Sequence, residues 1–179
     1  MASILSVEQL QGLAAGSTPN TITVPTGQKI VGTDVGSLVA PGQVVQFVQA
    51  ETSNFPPRPQ ITSTSYVDSG YSLSITPKFS TSKIYCNFNA SAHCGSGSYL
   101  YGVFRRNGND LGQAQFALGA ANQWDMIGMN FADSPASTSA VTYTLALKVS
   151  GGTGYLGWTG SYSSPNTNMQ GWTLMEIAQ

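Results

Sequence analysis

Val141, Tyr143, Leu145, Leu147 and Val149 alternate without a break with Thr142, Thr144, Ala146 and Lys148. A period of two sends successive side chains to opposite faces of an extended chain. It excludes helix and requires that one face be buried. The same period recurs at Tyr71, Leu73 and Ile75 against Ser72, Ser74 and Thr76. It recurs again at Tyr99, Tyr101, Val103 and Arg105 against Leu100, Gly102, Phe104 and Arg106. Ile84, Cys86, Phe88, Ala90, Ala92 and Cys94 share one parity, and the runs 43–52 and 171–178 read as further strands. Asn107-Gly108-Asn109 marks a tight hairpin, because Asn and Gly tolerate positive φ. Gly95-Ser96-Gly97, Ser134-Pro135, Gly151-Gly152-Thr153-Gly154 and Ser163-Ser164-Pro165-Asn166 mark other turns. About eight short strands over residues 60–178, with no helix between them, predict an all-β fold, an antiparallel β-sandwich or jelly-roll-like domain.

The residues ahead of that domain are of another kind. Ser6 as N-cap, Gln9 at the reciprocal position and Gly16 as terminator predict one short helix over 6–14. From Gly16 to Gly42 the chain is small, polar and broken by Pro19, Pro25, Gly27, Gly32, Gly36 and Pro41. The pairs Ile22/Val24 and Ile30/Val31 suggest short strands, but the segment is too poor in apolar residues to build a core. Phe55-Pro56-Pro57-Arg58-Pro59 is a stiff, extended boundary. The expected organisation is therefore an N-terminal arm or attachment segment over 1–58 and a sandwich head domain over 59–179.

Of the 179 residues only 8% are charged, against roughly 25% in an average soluble domain. Ser, Thr, Asn and Gln number 61, so the polar surface is mostly neutral. Seven scattered Lys and Arg with a net charge of −1 do not build a phosphate-tracking patch, and nucleic acid is not an expected partner. No apolar run approaches 18 residues, so no membrane insertion is expected, and Met1-Ala2-Ser3-Ile4-Leu5 does not read as a secretory signal. If 84–94 is one strand, Cys86 and Cys94 both face the core roughly 26 Å apart, too far for a disulfide. Two buried free thiols are expected, consistent with assembly in a reducing cytosol.

Chemistry is thinly signalled. His93, the one histidine, falls on the strand face opposite Cys86 and Cys94, which argues against a zinc site. No nucleophile elbow accompanies it. Asp125 and Asp133 are separated by strand residues rather than by a calcium-binding loop. The eight acids are spread singly, giving no sign of a glycosidase pair. No catalytic residue, metal or cofactor is expected. Tyr155, Trp158 and Tyr162, set among Gly157, Gly160, Ser161 and Ser163, are the candidate contacts for a glycan or a protein partner. Trp124 and Trp172 lie in strand runs and are read as core. Arg105 and Arg106 present one cation to each face, with one of them paired or at a subunit contact.

The opening Ile4-Leu5-Ser6-Val7-Glu8-Gln9-Leu10-Gln11-Gly12-Leu13-Ala14, followed by Gly16-Ser17-Thr18-Pro19-Asn20-Thr21-Ile22-Thr23-Val24-Pro25, resembles that of small virion proteins of tailed phages, especially those of cyanobacteria. Thr62 to Asp68, Leu73 to Pro77, Ser82-Lys83-Ile84, Asp133-Ser134-Pro135 and the ending Leu174-Met175-Glu176-Ile177 are similar to the distal head domain of phage tail fibres. The resemblance implies a trimeric β-sandwich with no cofactor and no turnover. Such domains serve at fibre tips or as capsid cement (decoration) proteins. With no repetitive shaft ahead of Gln43, it points to a homotrimeric cement protein on the outer virion surface, made in the host cytoplasm. Its partners would be itself, the major capsid protein or tail proteins, and host surface polysaccharide. The alternative is a tail-fibre receptor-binding tip.

Overall fold

The computed structural model describes residues 24–32, 34, 37–50, 59–95, 97–112, 116–118, 124–157 and 170–179. The chain divides into two compact units, 1–34 and 35–179. In the first, residues 24–32 carry a turn closed by Gln28 N–H donating to the Pro25 carbonyl at 3.0 Å. The strand expected at Ile30/Val31 does not form; both side chains are exposed. A two-residue strand exists only as half of a ladder, and no strand among the described residues is paired with this one. The helix expected over 6–14 lies outside the described residues.

The second unit is all-β. Its strands are β1 (Val44–Gln49), β2 (Gln60–Ile61), β3 (Val67–Ile75), β4 (Lys83–Cys94), β5 (Leu100–Arg106), β6 (Asn109–Asp110), β7 (Phe116–Leu118), β8 (Trp124–Asp133), β9 (Val141–Val149), β10 (Gly154–Leu156) and β11 (Gln170–Ile177). They form two antiparallel sheets. One runs β1-β11-β4-β10-β2, with β8 on the other edge of β4. The second runs β3-β9-β5-β6, with β7 also paired to β5. The strand at 44–49, within the arm as drawn from the sequence, is hydrogen-bonded along β11 from Val44↔Ile177 to Gln49↔Thr173.

The alternation read from the sequence decides which faces meet. Phe88 on β4 and Trp172 on β11 come from the first sheet, Tyr71 on β3 and Phe104 on β5 from the second. Their rings pack centroid to centroid: Tyr71–Phe88 at 6.2 Å, Phe88–Trp172 edge-on at 5.6 Å, Phe104–Trp172 at 5.7 Å. Around them Ile84, Leu100, Leu145, Leu147, Leu156 and Leu174 are fully buried. Asn107 (φ 50°) and Gly108 (φ 86°) make the β5–β6 hairpin a turn with two left-handed residues, which matches the right-handed twist of the strands.

The central strand β4 has an unusual neighbour. One of its edges is shared end to end by two strands: Leu156 of β10 stands opposite Ala92, and Gln170 of β11 opposite Ala90. Between them Gly157 N–H donates to the Ser91 carbonyl at 2.7 Å. The chain thus leaves the ladder after Leu156 and rejoins it at the adjoining position.

Cys86 and Cys94 are both free and buried, as the parity of β4 requires. Burial pushes both thiols up, and the Asp133 carboxylate raises Cys86 further. Both are expected to resist a thiol reagent such as DTNB at neutral pH until denaturant is added. Rapid labelling of the native protein would contradict their placement.

Candidate functional site

Three strands of the first sheet present an aromatic row on its outer face. His93 on β4 is the register partner of both Trp124 on β8 and Tyr155 on β10. Residues opposite one another in a ladder point the same way, so the three rings stand side by side across the sheet. The His93 ring lies 5.2 Å from Trp124 and 5.8 Å from Tyr155. His93 Nδ1 is buried and has no hydrogen-bond partner among the described residues. Beside the row, Met126 is 51% exposed.

Gly154 is what lets β10 sit here. A Cβ at that position would stand 2.8 Å from Leu100 Cδ1 and 2.9 Å from Val149 Cγ1. The missing side chain lets β10 lie against the facing sheet while Tyr155, next along, points outward.

Of the three contacts expected from the sequence, Tyr155 belongs to this row, whereas Trp158 and Tyr162 lie outside the described residues. Trp172 is core, as expected. Trp124 is not: it is half-buried on the outer face. The correction has a simple cause. Both parities of β8 carry large apolar residues, Trp124 and Met126 on one, Ile127, Met129 and Phe131 on the other, and the register with β4 turns the second set inward. Sequence reasoning missed His93 and Trp124 as site residues; their meeting depends on cross-strand register, which the linear text does not carry.

The titratable groups that could have served acid–base or metal chemistry are dispersed. His93 faces outward and the two thiols inward, so these three do not converge. Asp125 and Asp133 stand near opposite ends of β8, roughly 26 Å apart. Among the described residues no cluster of three His, Cys, Asp or Glu is arranged to hold a metal ion.

Asp133 and Glu176 both flank Ile84 on the inner face, one on β8 and the other on β11. Two carboxylates so placed resemble a glycosidase pair, but the oxygens of each are already committed. Asp133 accepts from Arg106 Nη1 at 2.8 and 2.9 Å and from the Tyr143 hydroxyl at 2.7 Å. Burial, with that bond and the Asp133 charge, pushes the Tyr143 hydroxyl far up, so it stays a donor. Glu176, fully buried, accepts from the Lys78 and Phe79 N–H groups at 2.8 and 3.1 Å and from Gln46 Nε2 at 2.6 Å. Burial alone would raise its pKa; the hydrogen bonds outweigh it and hold the carboxyl below the usual range. These two groups clasp the end of the sandwich.

Arg105 and Arg106 point to opposite faces as expected, and both are paired: Arg106 with Asp133, Arg105 with Asp68 and Asp110.

No protein-family model matches the chain, and no curated protein matches it. Among solved structures it is similar to the structure of infectious bursal disease virus Gx strain, at 12% identity and a TM-score of 0.37. The match covers 84% of this chain and 42% of that one, so this chain spans less than half of its length. Likeness that loose carries no functional argument. Among the described residues no helix is long and apolar enough to cross a membrane.

Proposed function

We propose that this chain is a structural protein of the virion surface of a tailed phage, a homotrimeric cement protein without catalytic turnover or cofactor. The observation that carries the proposal is the set of exposed apolar side chains at the start of the second unit, Leu38 and Val39 ahead of β1 and Val44 and Phe47 on it. Within the first unit Val24, Ile30 and Val31 are exposed as well. A sandwich that buries its own core has no internal use for them. Surfaces of this kind are covered by a partner. The partners proposed are two further copies and the shell beneath, with the N-terminal segment as the attachment. The resemblance of the opening and closing residues to phage virion proteins supports the same reading, as does the neutral Ser/Thr/Asn surface.

The expected result in solution is a trimer burying ~800 Å² or more per partner. Light scattering at micromolar concentration should give three times the chain mass of 18.8 kDa. Deleting residues 1–34 should leave a cooperative unfolding transition and abolish attachment to capsids. A monomer, or a truncated chain that still decorates, would refute the proposal.

The aromatic row Trp124–His93–Tyr155 favours a second reading, a receptor-binding fibre tip that contacts host surface polysaccharide. Copy number in purified virions separates the two. Hundreds of copies per particle mean capsid; a small multiple of three means tail.

A further inference from the structure

The outer face of the second sheet carries a separate cluster. Lys148 stands on the middle strand β9, opposite Tyr101 of β5. Tyr66 reaches it from the residue just ahead of β3. The Lys148 ammonium lies 4.6 Å from the Tyr66 ring centroid and 5.3 Å from that of Tyr101. Tyr99, 48% exposed, continues the aromatic surface: its ring is 6.2 Å from Tyr101 and tilted by only 30°.

The floor beneath is packed. Val103 and Ala146 form the next rung on this face and are fully buried although they point away from the core. Arg105 closes the far end, donating to Asp68 and Asp110 and, at 3.3 Å, to the Tyr66 carbonyl. That last bond fixes the backbone that carries the Tyr66 ring.

The charges are unevenly used. Arg105 engages two carboxylates, whereas Lys148 forms no ion pair among the described residues. Ring faces attract an ammonium but do not use up its three N–H donors. A cation held between two rings, beside a third exposed one, offers a point for a carboxylate next to flat surface for the C–H face of a sugar ring.

We propose that Tyr66, Tyr99, Tyr101 and Lys148 form a binding site for an acidic saccharide, with the sugar ring on Tyr99 and Tyr101 and its carboxylate on the Lys148 ammonium. The site lies on the sheet opposite the Trp124–His93–Tyr155 row and stands whether or not the chain is a virion component.

The test is biolayer interferometry of the full-length protein on immobilised polygalacturonate, with the fully methyl-esterified polymer as the neutral control. Because the chain's net charge is −1, general attraction to a polyanion does not account for binding. The acidic polymer should bind and the ester should bind about tenfold more weakly, the loss of one charge-assisted contact. Lys148→Met keeps most of the stem between the rings and should weaken binding to the acid by the same factor. Tyr99→Ala, at the exposed rim, should also weaken it, with the melting temperature of each variant within about 2 °C of the parent. Should Lys148→Met fail to fold, Tyr99→Ala and the ester control decide alone. Absence of binding to polygalacturonate, equal binding of acid and ester, or unchanged binding by the variants would overturn the proposal.

Discussion

Replacing Trp172 with alanine will cost about 3–5 kcal/mol of stability and lower the melting temperature by about 10 °C. Its indole joins the sheets, touching Phe88 of the first and Phe104 of the second, and is fully buried. Alanine leaves a void that rigid strands on both sides cannot close. Trp124→Ala is the control. Its ring lies on the outer face against His93 and should cost under about 1 kcal/mol. Chemical denaturation of the two variants checks the pair of values. Equal losses would mean that β8 is registered one residue away from the pairing described.

The second large effect is expected at Glu176. Its carboxylate is the shared acceptor for the Lys78 and Phe79 N–H groups and for Gln46, so it ties the β3–β4 turn to β11 and β1. Glu176→Ala leaves these donors without their acceptor and should cost about 3 kcal/mol or more. Glu176→Gln keeps the shape but loses the charge. The folded-state pKa lies below the ordinary value of 4.5. The stabilisation is therefore complete above the unfolded-state value and fades as pH falls from about 4.5 through the lowered folded-state value. Unfolding free energy measured from pH 7 to pH 3 should drop more steeply for the parent than for Glu176→Gln. Parallel profiles would show that the carboxylate contributes no pH-dependent stability.

Much of this fold was legible because one-sided burial writes itself into alternation. β9 reads directly from Val141 to Val149, β4 from Ile84 to Cys94, and the turn between β5 and β6 from Asn107-Gly108. Glu176 could have been found: it shares the inward parity of Trp172 and Leu174, and an acid at a core parity needs donors. The candidate site was less legible. Tyr155 stands out by its glycine-rich surroundings, but its neighbours His93 and Trp124 are far apart in the chain and meet only through two independent strand registers. Val103 and Ala146 illustrate the complementary failure. Their parity places them outside, and they are buried all the same.

The end-to-end sharing of one β4 edge by β10 and β11 has an evolutionary consequence. Because Gly157, bonded to Ser91, and Gln170, opposite Ala90, adjoin along β4, the ladder fixes where residues 158–169 must begin and end but not how many there are. Lineages of this protein can lengthen, shorten or exchange that stretch without shifting the pairing of β10 or β11 with β4. Drift should therefore concentrate there, beside Tyr155. The same gap is the natural place to graft a foreign peptide for display, with the sandwich left untouched on either side.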